Sequence, residues 1–177
     1  MLIMQIEDRK KNILIIEDNY VSSADIAGVL RDGGYEVKAA DGIAEADELL
    51  TNWNDNSFDC LIIDLNMNNT HLPDDLKDKT LGGVLTGWIW LYNVAKPIFE
   101  SYPDTEIPKI IIYSVFAEDL NKRMNSVREK MNNKSTTDID KKKIDEELKY
   151  FGRVEFIEKT KPNSFLEDFN KVINKGN

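Results

Sequence analysis

Glu17 and Asp18 follow the run ILII, Asp64 follows CLII, Ser114 follows KIIIY, and Lys159 follows EFIE. Three carboxylates, a hydroxyl and an amine are the parts of a magnesium-dependent site at which an aspartate takes up a phosphoryl group. A carboxylate attacking a phosphoryl donor needs a divalent cation to bridge its oxygen to the phosphoryl oxygens and neutralise charge in the transition state. A fixed positive charge and a hydroxyl must hold the remaining oxygens. Mg²⁺ takes hard oxygen ligands and keeps several waters. Glu17, Asp18 and Asp64 supply carboxylates for it, and the backbone carbonyl of Asn66 supplies a further ligand. Lys159 brings the point charge and Ser114 the hydroxyl.

These residues meet only if the chain places them together. Each follows a short apolar run that reads as a buried strand, so each stands where a strand passes into a loop. In an open α/β sheet the carboxyl ends of the strands form one edge, and ligands bind in the crevice there. Strands are expected at Ile13–Ile16, Tyr35–Ala39, Phe58–Ile63, Lys109–Tyr113 and Val154–Glu158. The first, third and fourth are almost wholly apolar, as strands covered on both faces are; the second is weaker and reads as nearer an edge. Helical patterns alternate with them, the signature of a parallel sheet. Ile43, Ala46, Leu50 and Trp53 recur at helical spacing after Asp41, a candidate N-cap. Trp88, Leu91, Tyr92 and Ala95 form another helix that Pro97 should end or kink. Phe165, Leu166, Phe169, Val172 and Ile173 line one face of a last helix capped by Asn163 or Ser164. The expected architecture is α/β, a doubly wound five-stranded parallel sheet with helices on both faces.

Two stretches exceed that plan. Asn66 to Thr86 is polar and rich in Asn, Asp and Gly, and reads as an extended loop beside the site; long loops in compact domains tend to be functional or disordered. Ala117 to Gly152 is helical in two parts. Ala117, Leu120, Met124, Val127 and Met131 form one stripe, the face packed on the sheet. A polar break from Asn132 to Thr136 follows, then Thr137 as cap for Ile144, Leu148 and Phe151.

Composition narrows the functional classes. The 177 residues suit one domain, with a core from about residue 12 to 175 and insertions near 67–86 and 132–150. A net charge of −9 argues against a nucleic-acid surface, which needs clustered Lys and Arg. The basic run Lys141 to Lys143 is flanked by acids and reads as a solvated helix face. Cys60 is the single cysteine, so no intrachain disulfide forms. No run approaches the roughly 18 apolar residues of a membrane span, and the start MLIMQIEDRKK lacks a signal peptide's apolar stretch. A cytoplasmic protein is expected. His71, the single histidine, sits in the polar loop; alone it builds neither a metal site nor a catalytic triad with Ser114. Trp53, Trp88 and Trp90 read as core or half-buried aromatics.

The pieces ILIIEDN, LIIDLNM, IIIYS and FIEK, in that order at strand ends, resemble the receiver domain of two-component response regulators, a flavodoxin-like fold. The resemblance implies that Asp64 is phosphorylated by a histidine kinase or phosphotransfer protein. It implies that Glu17 and Asp18 bind Mg²⁺, that Ser114 contacts the phosphoryl group, and that Lys159 pairs with it. Lys161-Pro162 is a rival to Lys159, but Lys159 directly ends the strand and its spacing to Leu166 fits the family. Phe156, three residues earlier, then holds the switch-aromatic position, and Gly87 resembles the family's glycine after the phosphoacceptor loop.

The chain departs from the family at Val115, where a small residue is usual, at Thr160, where proline is frequent, and at Glu17, where Asp is common. A stand-alone receiver is expected, not an enzyme beyond its own phosphorylation and dephosphorylation. It would signal by protein contacts of its fourth helical region, fifth strand and fifth helix, with a downstream target or a second copy. A degenerate receiver acting as a fixed adaptor is the alternative. A haloacid-dehalogenase-type phosphatase is less favoured, because Asn66 stands where that family has a second Asp.

Overall fold

The computed structural model describes residues 9–52, 57–103, 107–131, 138–159 and 164–174. Five parallel strands form one sheet in the order β2-β1-β3-β4-β5. They are β1 (Asn12–Ile16), β2 (Glu36–Ala40), β3 (Cys60–Ile63), β4 (Lys109–Ser114) and β5 (Val154–Glu158). The apolar runs occupy the interior: every residue of β3 is buried, and Ile13 to Ile16 are at most 1% exposed. β2 lies at an edge, as its polar pattern suggests, and only Ala40 in it is buried.

Side chains alternate between two faces, and the helices divide accordingly. On one face α1 (Tyr20–Asp32) and α8 (Phe165–Ile173) pack Ile26, Leu30, Phe165 and Phe169 against Ile13, Ile15, Ile62 and Ile111. On the other face, Leu14, Ile16, Ile63 and Ile112 meet α2 (Ile43–Thr51), α4 (Thr86–Trp90), α6 (Ala117–Met131) and the end of α7 (Asp138–Phe151). The parallel sheet covered on both faces is the expected one.

The local differences have physical causes. Tyr35 precedes β2 because its N–H bonds Leu30 O and closes the turn after α1, leaving its ring edge-on to Phe169. Phe58 is buried but lies before β3. Asp41 does not cap α2: Gly42 takes that position at φ 141°, a backbone region glycine favours, while Glu45 accepts the Asp41 N–H at 2.9 Å. Pro97 does not end its helix, which runs on to Phe99. The chain widens into a π-turn over Leu91–Ala95 and continues as α5 (Lys96–Phe99), so the proline falls near the start of a fresh α turn. There its missing N–H matters least.

The long loop is more ordered than an extended loop. It contains α3 (Asp74–Lys77) and a 3₁₀ turn over Asp78–Thr80, and it buries Met67, Leu72 and Leu76. Both helices expected between Ala117 and Gly152 are present, with Ala117, Leu120, Met124 and Phe151 buried. Ser164 stands at the N-cap of α8. Trp88, Trp90 and Cys60 are buried and His71 is exposed. Trp53, the break at Asn132 to Thr136, Thr137, Thr160, Lys161, Pro162 and Asn163 lie outside the described residues. So do the side chains of Val127, Met131, Ile144 and Leu148. No helix among the described residues is long and apolar enough to cross a membrane.

Candidate functional site

The sheet's hydrogen bonding runs one residue past the strands and thereby sets the register of the site. Asp64 N–H bonds Ile16 O at 3.0 Å, Glu17 N–H bonds Ala40 O at 3.2 Å, and Lys159 N–H bonds Ser114 O at 3.3 Å. Glu17, Asp64, Ser114 and Lys159 therefore leave four neighbouring strand ends at one edge.

Lys159 joins the carboxylates. Its Nζ donates to Asp64 Oδ2 at 2.8 Å and also to Glu17 Oε2. The Lys159 side chain is 14% exposed and that of Glu17 only 3%. Burial pushes the Glu17 carboxyl above its ordinary pKa; the Lys159 hydrogen bond opposes that rise and the nearby Asp64 charge adds to it. Burial works against the charge on Lys159, but Asp64 and Glu17 outweigh it and hold its pKa above the ordinary lysine value. Lys159, the residue the register reading prefers, directly follows β5, and its rival Lys161 lies outside the described residues.

Each acid also has backbone or hydroxyl donors. Glu17 accepts from Asn19 N–H and from Ser22 Oγ, both at 3.1 Å. Asp64 Oδ1 accepts from Leu65 N–H at 2.7 Å and from Asn66 N–H at 3.4 Å. Asp18 Oδ2 accepts from Asn68 N–H at 2.8 Å. Ser114 is fully buried, and its Oγ accepts from Phe116 N–H at 3.4 Å. Val115 instead is 53% exposed.

Gly87 fixes how closely α4 approaches the site. A Cβ built there would lie 1.9 Å from the Asp64 carbonyl oxygen, so only glycine permits this packing. Its N–H bonds Leu65 O at 3.1 Å, tying the helix to the loop after Asp64. One residue on, Trp88 donates from Nε1 to Glu147 of α7 at 2.9 Å and packs edge-on against Phe151, with ring centres 5.3 Å apart. Phe151 in turn lies 4.8 Å from the half-buried Phe156 ring. Aromatic contacts thus run from α4, beside Asp64, through α7 to the candidate switch residue on β5.

Sequence reasoning missed Ser22, Asn68 and Phe151 as supports of the site. The first was accessible, since Asn19 caps α1 through the Ser22 N–H, a spacing visible in the sequence. The Asn68 contact uses a backbone N–H and leaves no side-chain signature.

As placed, no three Asp, Glu, His or Cys side chains among the described residues are grouped to hold a metal ion. Lys159 stands between Glu17 and Asp64, while Asp18 is bonded to Asn68. The donor set nevertheless fits Mg²⁺ in kind. Three hard carboxylates accompany a single ammonium, so the ionised site carries excess negative charge for a divalent cation to balance.

No protein-family model and no curated protein matches the sequence. Solved structures do. The chemotaxis protein CheY4 of Vibrio cholerae is similar at 19% identity and a TM-score of 0.52, over 92% of this chain and 98% of that one. The non-phosphorylated HemR receiver domain from Leptospira biflexa shares 22% identity at a TM-score of 0.53, over 95% and 98%. The chain has the fold of a response-regulator receiver domain. A response regulator from Thermotoga maritima gives the same picture at 16% identity and a TM-score of 0.51, over 94% and 99%. At such identities the likeness is one of receiver fold, and the chemistry must be argued from this chain's own residues.

Proposed function

We propose that the protein is a phosphorylation-dependent signalling switch of a two-component system. Asp64 would accept a phosphoryl group from a histidine kinase or phosphotransfer protein. The observation that carries this reading is the direct bond from half-buried Lys159 to buried Asp64, at the sheet edge that also gathers Glu17, Asp18 and Ser114. In the transfer, an Asp64 carboxylate oxygen forms a bond to phosphorus as the bond from phosphorus to the donor imidazole nitrogen breaks. Lys159 stays beside the new phosphoryl oxygens as a fixed charge, and the Ser114 hydroxyl donates to one of them. Glu17, Asp18, Asp64 and the Asn66 carbonyl would hold Mg²⁺, which supplies charge neutralisation during transfer.

Output follows from the neighbours. Drawing Ser114 toward the phosphoryl group shifts the start of the α6 segment, and Phe156 is free to repack only if Phe151 yields. The region from α6 through β5 to α8 is therefore the proposed surface for a downstream protein or a second copy of the chain. The adaptor reading draws on one specific feature: every carboxylate of the site already has protein donors, so the arrangement is self-consistent without a cation.

Intact mass after incubation with Mg²⁺ and acetyl phosphate decides between the two. A phosphoryl adduct that requires Mg²⁺ and is absent from Asp64→Asn is the expected result. No adduct, together with amide signals unmoved by beryllofluoride and Mg²⁺, makes the protein a fixed adaptor.

A further inference from the structure

We infer that the Asn68 N–H is a positioning group of the site, and that the inserted loop and a divalent cation compete for Asp18. The inference rests on the function proposed above and concerns its regulation. Asp18 Oδ2 accepts from Asn68 N–H at 2.8 Å, a bond from the end of β1 to the start of the long loop. The loop is a folded unit at that point. Asn68 Oδ1 accepts from Thr70 N–H at 2.8 Å, and Asn69 Nδ2 donates to Thr80 Oγ1 at 2.8 Å. Thr80, fully buried, donates to Lys77 O at 2.7 Å and accepts from Gly83 N–H at 3.2 Å. Leu72 and Leu76 are buried beneath it.

The sign of the coupling follows from the geometry. In this arrangement the described acids are not grouped to hold a metal and Asn68 N–H occupies Oδ2 of Asp18, so a cation that takes this oxygen must displace the loop's bond. Loop docking then opposes cation binding, and by reciprocity the cation loosens the loop. A loop that merely supported the site would act in the opposite sense, since loosening it would weaken binding.

The test titrates the full chain with Mg²⁺ alone, by calorimetry and amide NMR, in wild type and in Asn69→Ala, which removes the clasp to Thr80. Asn69→Ala is expected to bind Mg²⁺ more tightly by about two- to tenfold, the factor that one ordinary hydrogen bond represents. The Asn68 amide of the wild type should exchange with solvent faster at saturating Mg²⁺, and Asp18→Ala should show that faster exchange without metal. Equal or weaker Mg²⁺ binding by a folded Asn69→Ala overturns the inference while leaving the proposed function standing. Should that variant fail to fold, an Asn68 amide equally protected with and without Mg²⁺ in the wild type overturns it instead. A wild type that binds no Mg²⁺ even at tens of millimolar overturns the proposed function, and the inference with it.

Discussion

The two edges of one sheet handle charge in opposite ways. At the edge where the strands begin, Asp59 accepts from Asn12 N–H at 2.7 Å and pairs with Arg9 at 2.9 Å. There Lys11 and Lys109 donate to Ile173 O at 3.3 and 2.9 Å, placing positive charge at the carbonyl end of α8. That is where a helix dipole favours it. Each charged group there has a partner, a carboxylate or the carbonyl end of a helix, and the Arg9–Asp59 pair keeps substantial solvent contact. At the edge where the strands end, two buried acids, Glu17 and Asp64, share one lysine, and Asp18, next in sequence to Glu17, is bonded to Asn68. Burying like charges costs stability, and the fold does not need it. The first edge is built for staying folded; the second holds an unbalanced charge that a cation or a phosphoryl group would exploit.

Removing the lysine should break this contrast most visibly. Lys159→Met leaves Glu17 and Asp64 without their shared cation and should cost about 3 kcal/mol at neutral pH. Urea unfolding at pH 7 and pH 5 checks it: the deficit should shrink at the lower pH as the stranded carboxylates take up protons. The wild type should behave oppositely at the alkaline end. Because the folded-state pKa of Lys159 is raised, its contribution is intact below its ordinary value of 10.5 and is lost as pH climbs through the folded value. Lys159→Met should lack that alkaline loss.

Gly87→Ala tests the same edge by shape instead of charge. Its Cβ would overlap the Asp64 carbonyl oxygen at 1.9 Å and the carbonyl carbon at 2.9 Å, so α4 or the phosphoacceptor loop must shift. Overpacking of this kind costs about 1–3 kcal/mol. Thermal melting should show the loss, and the Mg²⁺-dependent adduct should fall with it. A melting loss with normal phosphorylation would mean that α4 yields while Asp64 stays in place.

How much of this was open to sequence reading depends on what each contact leaves behind. Glu17, Asp64, Ser114 and Lys159 were legible because each ends an apolar run, and parallel register brings such ends together. Their partnership was not. Lys159 and Glu17 pair across almost the whole chain, and nothing local in either residue names the other. The Asn68–Asp18 bond was hidden because any residue but proline offers a backbone N–H. The indole bonds of Trp88 to Glu147 and Trp90 to Asp47 depend on helix rotation, so both tryptophans read only as core or half-buried aromatics. Pro97 does not end its helix because a π-turn over Leu91–Ala95 precedes it, a change of winding that no single residue type announces.

A variant at the opposite edge sharpens the comparison through what it should leave alone. Asp59→Ala removes the acceptor for Asn12 N–H and for Arg9, the latter pair largely in water. The expected cost is about 1 kcal/mol, nearly all from the backbone donor. Denaturant midpoints measure it, and the phosphorylation time course should overlay that of the wild type. A slowed time course would mean that the two edges are coupled through β1 and β3.

The smallest effect should have the opposite sign. Glu17→Gln keeps an oxygen for Asn19 N–H but removes a charge that burial and Asp64 disfavour. Since the folded-state pKa of Glu17 is raised, the wild type carries the cost of that charge at neutral pH and sheds it as pH falls through the raised value toward 4.5. The variant should therefore be slightly more stable at pH 7, by less than about 1 kcal/mol because the Lys159 contact is weakened too. The gain should vanish on acidification, where both proteins are neutral at this position. Paired thermal melts across that range read the difference directly, and Mg²⁺-dependent phosphorylation should fall in the same variant. Stability gained together with phosphorylation lost is the signature of a charge kept for function. A stability loss at pH 7 would instead class Glu17 with Asp59, as a structural tie at the other end of the sheet.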